Sequence, residues 1–177
     1  MSQQLKVFIK NIGEYVPFTG GQPLIEIFEN LSDRMPDLQP ICALVNNKAE
    51  SLSYPLFSPK QVEFLSLQTE EGRKTYVHTL SMMLYYAVAQ LCPSARLMIE
   101  HSVASGYYCR LQGDVELTDK LIADIKGAMQ HLVARDVPIV RKERLTKDVI
   151  EIFRRQGLDD KVRLLSTLHE LYTVYYT

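Results

Sequence analysis

The sequence predicts an α+β fold, and three observations carry that prediction. Residues up to about 68 alternate apolar and polar in short runs, residues from 70 onward place apolar side chains three and four apart, and glycine or proline separates many of the segments. Leu5, Val7 and Ile9 alternate with Lys6, Phe8 and Lys10, as a strand with one buried face requires. Asn11 to Gly13 supplies a turn, and Glu14 to Phe18 the returning strand. Gly20-Gly21-Gln22-Pro23 opens a short helix with proline at its first position, where a missing N–H costs nothing, and with Leu24, Ile27, Phe28 and Leu31 as its core stripe. Pro36 and Pro40 end that segment. Ile41 to Val45 and Val62 to Leu67 then read as strands around a polar connection, giving the order ββαββ.

From Glu70 to Leu91 the apolar residues Val77, Leu80, Leu84, Val88 and Leu91 keep helical spacing for about six turns. Ala95 to Val103 and Tyr107 to Leu111 flank Ser105-Gly106, where a glycine offers the positive φ of a tight hairpin. Thr118 is placed to cap a helix whose buried stripe is Leu121, Ile122, Ile125, Met129, Leu132 and Val133. Pro138 stops it and Ile139 to Arg144 returns as a strand; Thr146 then caps a helix through Val149, Ile150 and Phe153 that Gly157 terminates. The change of pattern sets a domain boundary near Thr69, with residues 1–68 as one domain and 69–177 as the next.

Composition narrows the function classes. Twenty basic against 21 acidic residues give a formal charge of −1, so no global field draws the chain to nucleic acid or to an anionic membrane, and any such binding is local. Cys42, Cys92 and Cys109 are odd in number and form no C-x-x-C, which argues against a disulfide framework and for a reducing cytoplasm. No basic-then-apolar leader opens the chain, and no apolar run reaches the roughly 18 residues that a membrane span needs.

Beyond these patterns, the residues LKVFIKN, GGQPLIEIFENL and ALVNNKAESLSYPL resemble a TGS domain, a small β-grasp fold. GRKTYVHTLSMMLYYAVAQLCPSARLMIEHSVASGYYCRL, VPIVRKERLTKDVIEIFRRQG and DDKVRLL resemble the editing-like additional domain of threonyl-tRNA synthetases. The same pair of domains is known at the N-terminus of a bacterial uridine kinase family, to which the wording is similar. That resemblance implies a noncatalytic regulatory or ligand-binding region whose partner is a downstream kinase domain of the same polypeptide. ATP and Mg²⁺ are expected only in that domain, because no G-x-x-x-x-G-K-[ST] phosphate loop occurs in these 177 residues. The apolar, strand-like ending Leu171 to Thr177 fits an additional domain truncated at its C-terminus. The alternative implied by the synthetase resemblance is an RNA-binding or degenerate aminoacyl-tRNA editing module.

The resemblance also implies where an editing pocket would lie. The family carries H-x-x-x-H on its long helix and a later C-x-x-x-H; here His78 holds the first position, Met82 the second, and no C-x-x-x-H occurs. Methionine can neither shuttle a proton nor replace imidazole on a hard-water activator, so neither catalysis nor a metal is expected. His101 is expected beside Cys109 across the hairpin, which gives two ligands and no third, while His131 and His169 read as surface-helix positions. Arg141, Lys142, Arg144 and Lys147 form a basic stretch that could follow a phosphate backbone, although Glu143, Asp148 and Glu151 interrupt it as they do on a solvated surface. Tyr85-Tyr86, Tyr107-Tyr108 and Tyr175-Tyr176 offer rings for stacking, and alternation leaves only one of each pair on a given face; Tyr108 is the candidate contact of the second pair.

Overall fold

Residues 5–18 fold as the alternation requires. In the structure, a computed structural model that describes residues 5–104 and 106–176, strands β1 (Leu5–Ile9) and β2 (Glu14–Phe18) form an antiparallel hairpin that directs Val7, Ile9, Val16 and Phe18 inward. Gly13, at φ +69°, closes the turn. Strand β7 (Gln61–Leu65) lies parallel to β1, β4 (Cys42–Val45) pairs antiparallel with β7, and β5 (Lys48–Glu50) covers the far edge. The sheet order is β2-β1-β7-β4-β5. Beyond the end of β1, the Asn11 side chain accepts from the N–H of Phe64 at 2.8 Å and donates to its carbonyl at 2.9 Å, so an amide side chain stands in for a missing strand residue.

Two details of this part differ from the sequence reading. Pro23 caps the helix from outside, because Gln22–Pro23 is itself a short strand, β3, paired with β6 (Pro55–Leu56); the helix α1 therefore runs Leu24–Glu29. The segment between β4 and β7 is also more than a connection. Asn46 and Asn47 both take positive φ, 49° and 65°, and turn the chain tightly into β5, as asparagine does more readily than most residues. The expected stripe Leu24, Ile27, Phe28 and Leu31 is buried against Val7, Ile9, Val62 and Phe64, with Phe28 and Phe64 in edge contact at 5.2 Å between ring centroids.

A second cluster forms beyond the sheet. Helix α2 (Glu70–Leu91), hairpin β8 (Arg96–Val103) and β9 (Gly106–Gln112), and helix α3 (Asp119–Ala134) bury Ala87, Val88 and Ile125 among Leu84, Leu97, Leu111, Leu121, Ala128 and Met129. Thr118 accepts from the N–H of Leu121 at 3.2 Å and starts α3 as expected. Three expected core residues are exposed: Leu91 in the last turn of α2, and Ile122 and Val133, which flank the Leu121-Ile125-Ala128 line instead of lying on it. At the hairpin tip the positive φ falls on Ala104, at 51°, and not on Gly106, while Ser105 lies outside the described residues.

The junction between sheet and α2 is close. Thr69 caps the helix, its hydroxyl accepting from the N–H of Gly72 at 3.1 Å while donating to the Ser66 carbonyl. A Cβ at Gly72 would lie 2.0 Å from that carbonyl oxygen. Only glycine lets the strand's end approach the helix so nearly.

Contacts divide the chain into two compact units, Met1–Met129 and Gln130–Thr177, so that the division falls inside α3. In the second unit, β10 (Arg141–Leu145) pairs antiparallel with β11 (Tyr172–Tyr176), and α4 (Thr146–Arg155) and α5 (Asp159–Thr167) connect them, burying Val149 and Leu165. Thr146 begins α4 but does not cap it. Its hydroxyl is taken by the Glu170 carbonyl at 2.6 Å and by the Thr173 hydroxyl at 2.9 Å, tying the start of α4 to the entry of β11. Gly157, at φ +70°, ends α4 as expected. Among the described residues no helix is long and apolar enough to cross a membrane.

Two stability outcomes follow from this geometry. Gly72→Ala should destabilise the fold by about 1–3 kcal/mol, the range of a backbone forced to move, and should lower the thermal midpoint seen by circular dichroism. Thr146→Val keeps the shape but removes the donor to the Glu170 carbonyl; a loss of about 0.5–1.5 kcal/mol in urea unfolding is expected, against no change if the hydroxyl were idle.

Candidate functional site

Helical spacing lays Glu70, Lys74 and His78 in one line along the first half of α2, with Arg73 and Val77 beside them. Tyr107 of β9 completes an open depression of about 180 Å³ over these residues. Ligand pockets for whole small molecules run from about 300 Å³ upward, so this hollow admits one functional group of a larger ligand. Lys74 reaches Glu70 at 2.8 Å and Glu71 at 3.2 Å. The hydrogen bond and charge of Lys74 hold the Glu70 carboxyl below the usual carboxylate range, and the hydrogen bonds from Glu70 and Glu71 raise Lys74. The Glu70 contribution is lost as pH falls through its lowered pKa, and the Lys74 contribution as pH rises through its raised one, so the pair is intact at neutral pH. Arg73 donates to the Gln68 carbonyl at 3.2 Å, and His78 is exposed at the rim.

Of the site residues singled out in the sequence, His78 and Tyr107 lie in this depression. Met82, one turn further along α2, is half-buried and does not line it. Tyr107 faces the depression, whereas Tyr108 points to the opposite side of the strand and packs on His101, 5.4 Å between ring centroids. His101 does not face Cys109, which pairs with Ile99; an irregularity in the ladder between Ile99 and Ser102 carries the histidine past it. His131 is an exposed position of α3, but His169 follows the end of α5 and is on no helix. Among the described residues no three His, Cys, Asp or Glu side chains converge as a metal site would need. Glu70, Arg73 and Lys74 were not singled out in the sequence as site residues, although the repeat of charged residues at 70, 74 and 78 carries the signal.

The basic stretch belongs to the second unit. Alternation along β10 places Arg141 and Glu143 on one face, 3.8 Å apart, and Lys142 and Arg144 on the other, while Lys147 is exposed in the first turn of α4.

The chain is similar to threonine–tRNA ligases. It is 27% identical to that of Desulforamulus reducens over 166 residues, 94% of this chain and 26% of the relative. With the ligase of Natranaerobius thermophilus it shares 31% identity over 155 residues, 88% of this chain and 24% of the relative, and with that of Clostridium kluyveri 28% over 166 residues. It thus spans about a quarter of the length of the curated relatives it matches. No family model matches it. The chain is homologous to the N-terminal region of threonine–tRNA ligases.

The geometry generates a metal test. Met82→His restores two imidazoles one helical turn apart on α2, yet a third donor is still missing. Elemental analysis of the purified variant should find zinc well below one equivalent; a stoichiometric ion would show a ligand set that the fold conceals.

Proposed function

We propose that this chain is a noncatalytic RNA-contacting accessory module. Its sheet to about residue 68 is a TGS-type β-grasp part, and residues 69–177 are a degenerate editing-like part. One observation carries the reading: similarity to tRNA ligases runs along 94% of the chain, while the helix that would bear an editing pair keeps His78 and has Met82 where the second histidine belongs. The depression around His78 is open to solvent, so water within it is not excluded. Chemistry belongs to a further domain of the same polypeptide, a synthetase core or, as the wording of the sequence implies, a nucleoside kinase. In that second setting the module regulates the kinase, and ATP and Mg²⁺ bind to the kinase domain. Its three cysteines are free, two of them buried, in keeping with a reducing cytoplasm.

The test is direct. Fluorescence anisotropy with unacylated tRNA should show weak binding whose logarithm falls with the logarithm of salt, by about 0.7 for each phosphate neutralised on a single strand. Incubation with tRNA mischarged with serine should release no serine above the no-protein rate. Absence of tRNA binding at low salt would remove the RNA reading, and measurable deacylation would remove the noncatalytic one.

A further inference from the structure

The sequence presents the basic stretch at 141–147 and the tyrosines near 175 as separate features, and the fold brings them together. In the antiparallel ladder Arg141 stands opposite Tyr176, Glu143 opposite Val174 and Leu145 opposite Tyr172. Cross-strand partners share a face, so Arg141, Tyr172 and Tyr176 project from one side of the ribbon. The other side is taken by α4, where Phe153 meets Tyr175 edge-on at 6.1 Å. The first side is open: Tyr172 is 55% exposed, Val174 40% and Tyr176 56%. Packing thus accounts for Tyr175 but not for its neighbours.

We propose that this open face of the β10–β11 ribbon binds single-stranded RNA, with Tyr172 and Tyr176 as stacking platforms and Arg141 as a phosphate contact. The inference rests on the RNA-contacting reading and locates the contact. Four residues of strand separate the two tyrosines by about 13 Å, enough for each ring to take its own base. Charge selects the occupant. Gln130–Thr177 carries nine basic against seven acidic residues in a chain that is slightly acidic as a whole. On the open side Arg141 stands beside one acidic side chain, Glu143, 3.8 Å away, while Lys142 and Arg144 belong to the other side of the strand. Rings that can stack on any base, beside Arg141 in a unit with a net positive charge, suit a flexible polyanion. A row of cations along β10 also opposes edge-to-edge pairing of two copies through that strand.

The test uses the full 177-residue chain and a fluorescein-labelled 12-nucleotide oligouridine, alone and annealed to oligoadenine. The wild type should prefer the single strand. Tyr172→Thr and Tyr176→Thr keep strand propensity while removing the rings, and each should weaken binding about tenfold or more; Arg141→Gln should reduce the salt slope by about 0.7. Tyr15→Thr, in the first unit, should change nothing. Thermal melts check that the variants fold, and photocrosslinking of 4-thiouridine RNA to the wild type gives a second readout, expected within residues 141–145 and 172–176. Wild-type affinity in both tyrosine variants, or crosslinks confined elsewhere, would overturn the ribbon while the tRNA binding above still stood. Failure to bind any RNA would overturn both. Light scattering that shows an RNA-independent dimer abolished by Tyr172→Thr would assign the face to a second copy and sink the proposal.

Discussion

A single close approach of backbone to backbone holds the first unit together: the end of β7 lies against the first turn of α2, with the Ser66 carbonyl where a side chain at residue 72 would have to be. Thr69 satisfies both partners at this corner, so the helix leaves the sheet in a fixed direction. The two hydrophobic clusters on either side share no residue, and the corner is where the chain passes from one to the other. The position of His78 and of the charged line beside it follows from that exit angle, since all of them lie within the first two and a half turns of α2.

Much of the fold was legible because one-sided burial leaves a period. The β1–β2 hairpin, the α1 stripe and the length of α2 all rest on patterns that the core then uses. What was illegible depends on partners distant in sequence. Pro23 reads as a helix start until Pro55 is found opposite it, and Thr146 reads as a cap until its hydroxyl is seen to be engaged by Glu170 and Thr173. Helix α5 received no bounds from the sequence: its nine residues are mostly exposed and only Leu165 is buried, so the apolar period is faint. Ile122 and Val133 show the converse error, in which an apolar residue near a stripe is counted as part of it.

The candidate site divides the same way. A helix position such as His78 can be placed from sequence, because spacing along one helix needs no tertiary information. The partnership of α2 with Tyr107, and of Arg141 with Tyr176, needs the hairpin registers, which sequence patterns do not supply. The resemblance to threonyl-tRNA synthetases supplied the family context that composition could not, and the similarity to threonine–tRNA ligases along most of the chain supports it.

The Asn11 side chain that bridges to Phe64 sits 53 residues away from its partner in sequence. The β1–β2 hairpin is local and needs no such closure, but the parallel β1–β7 seam cannot form until the whole of the first helix and the β4–β5 turn have been drawn in. Loop-closure entropy is therefore met late and at once, and pairings of this separation slow folding. Because α2 departs from β7, its entry corner is expected to become fixed only after that seam has closed, which orders the assembly of the first unit in time.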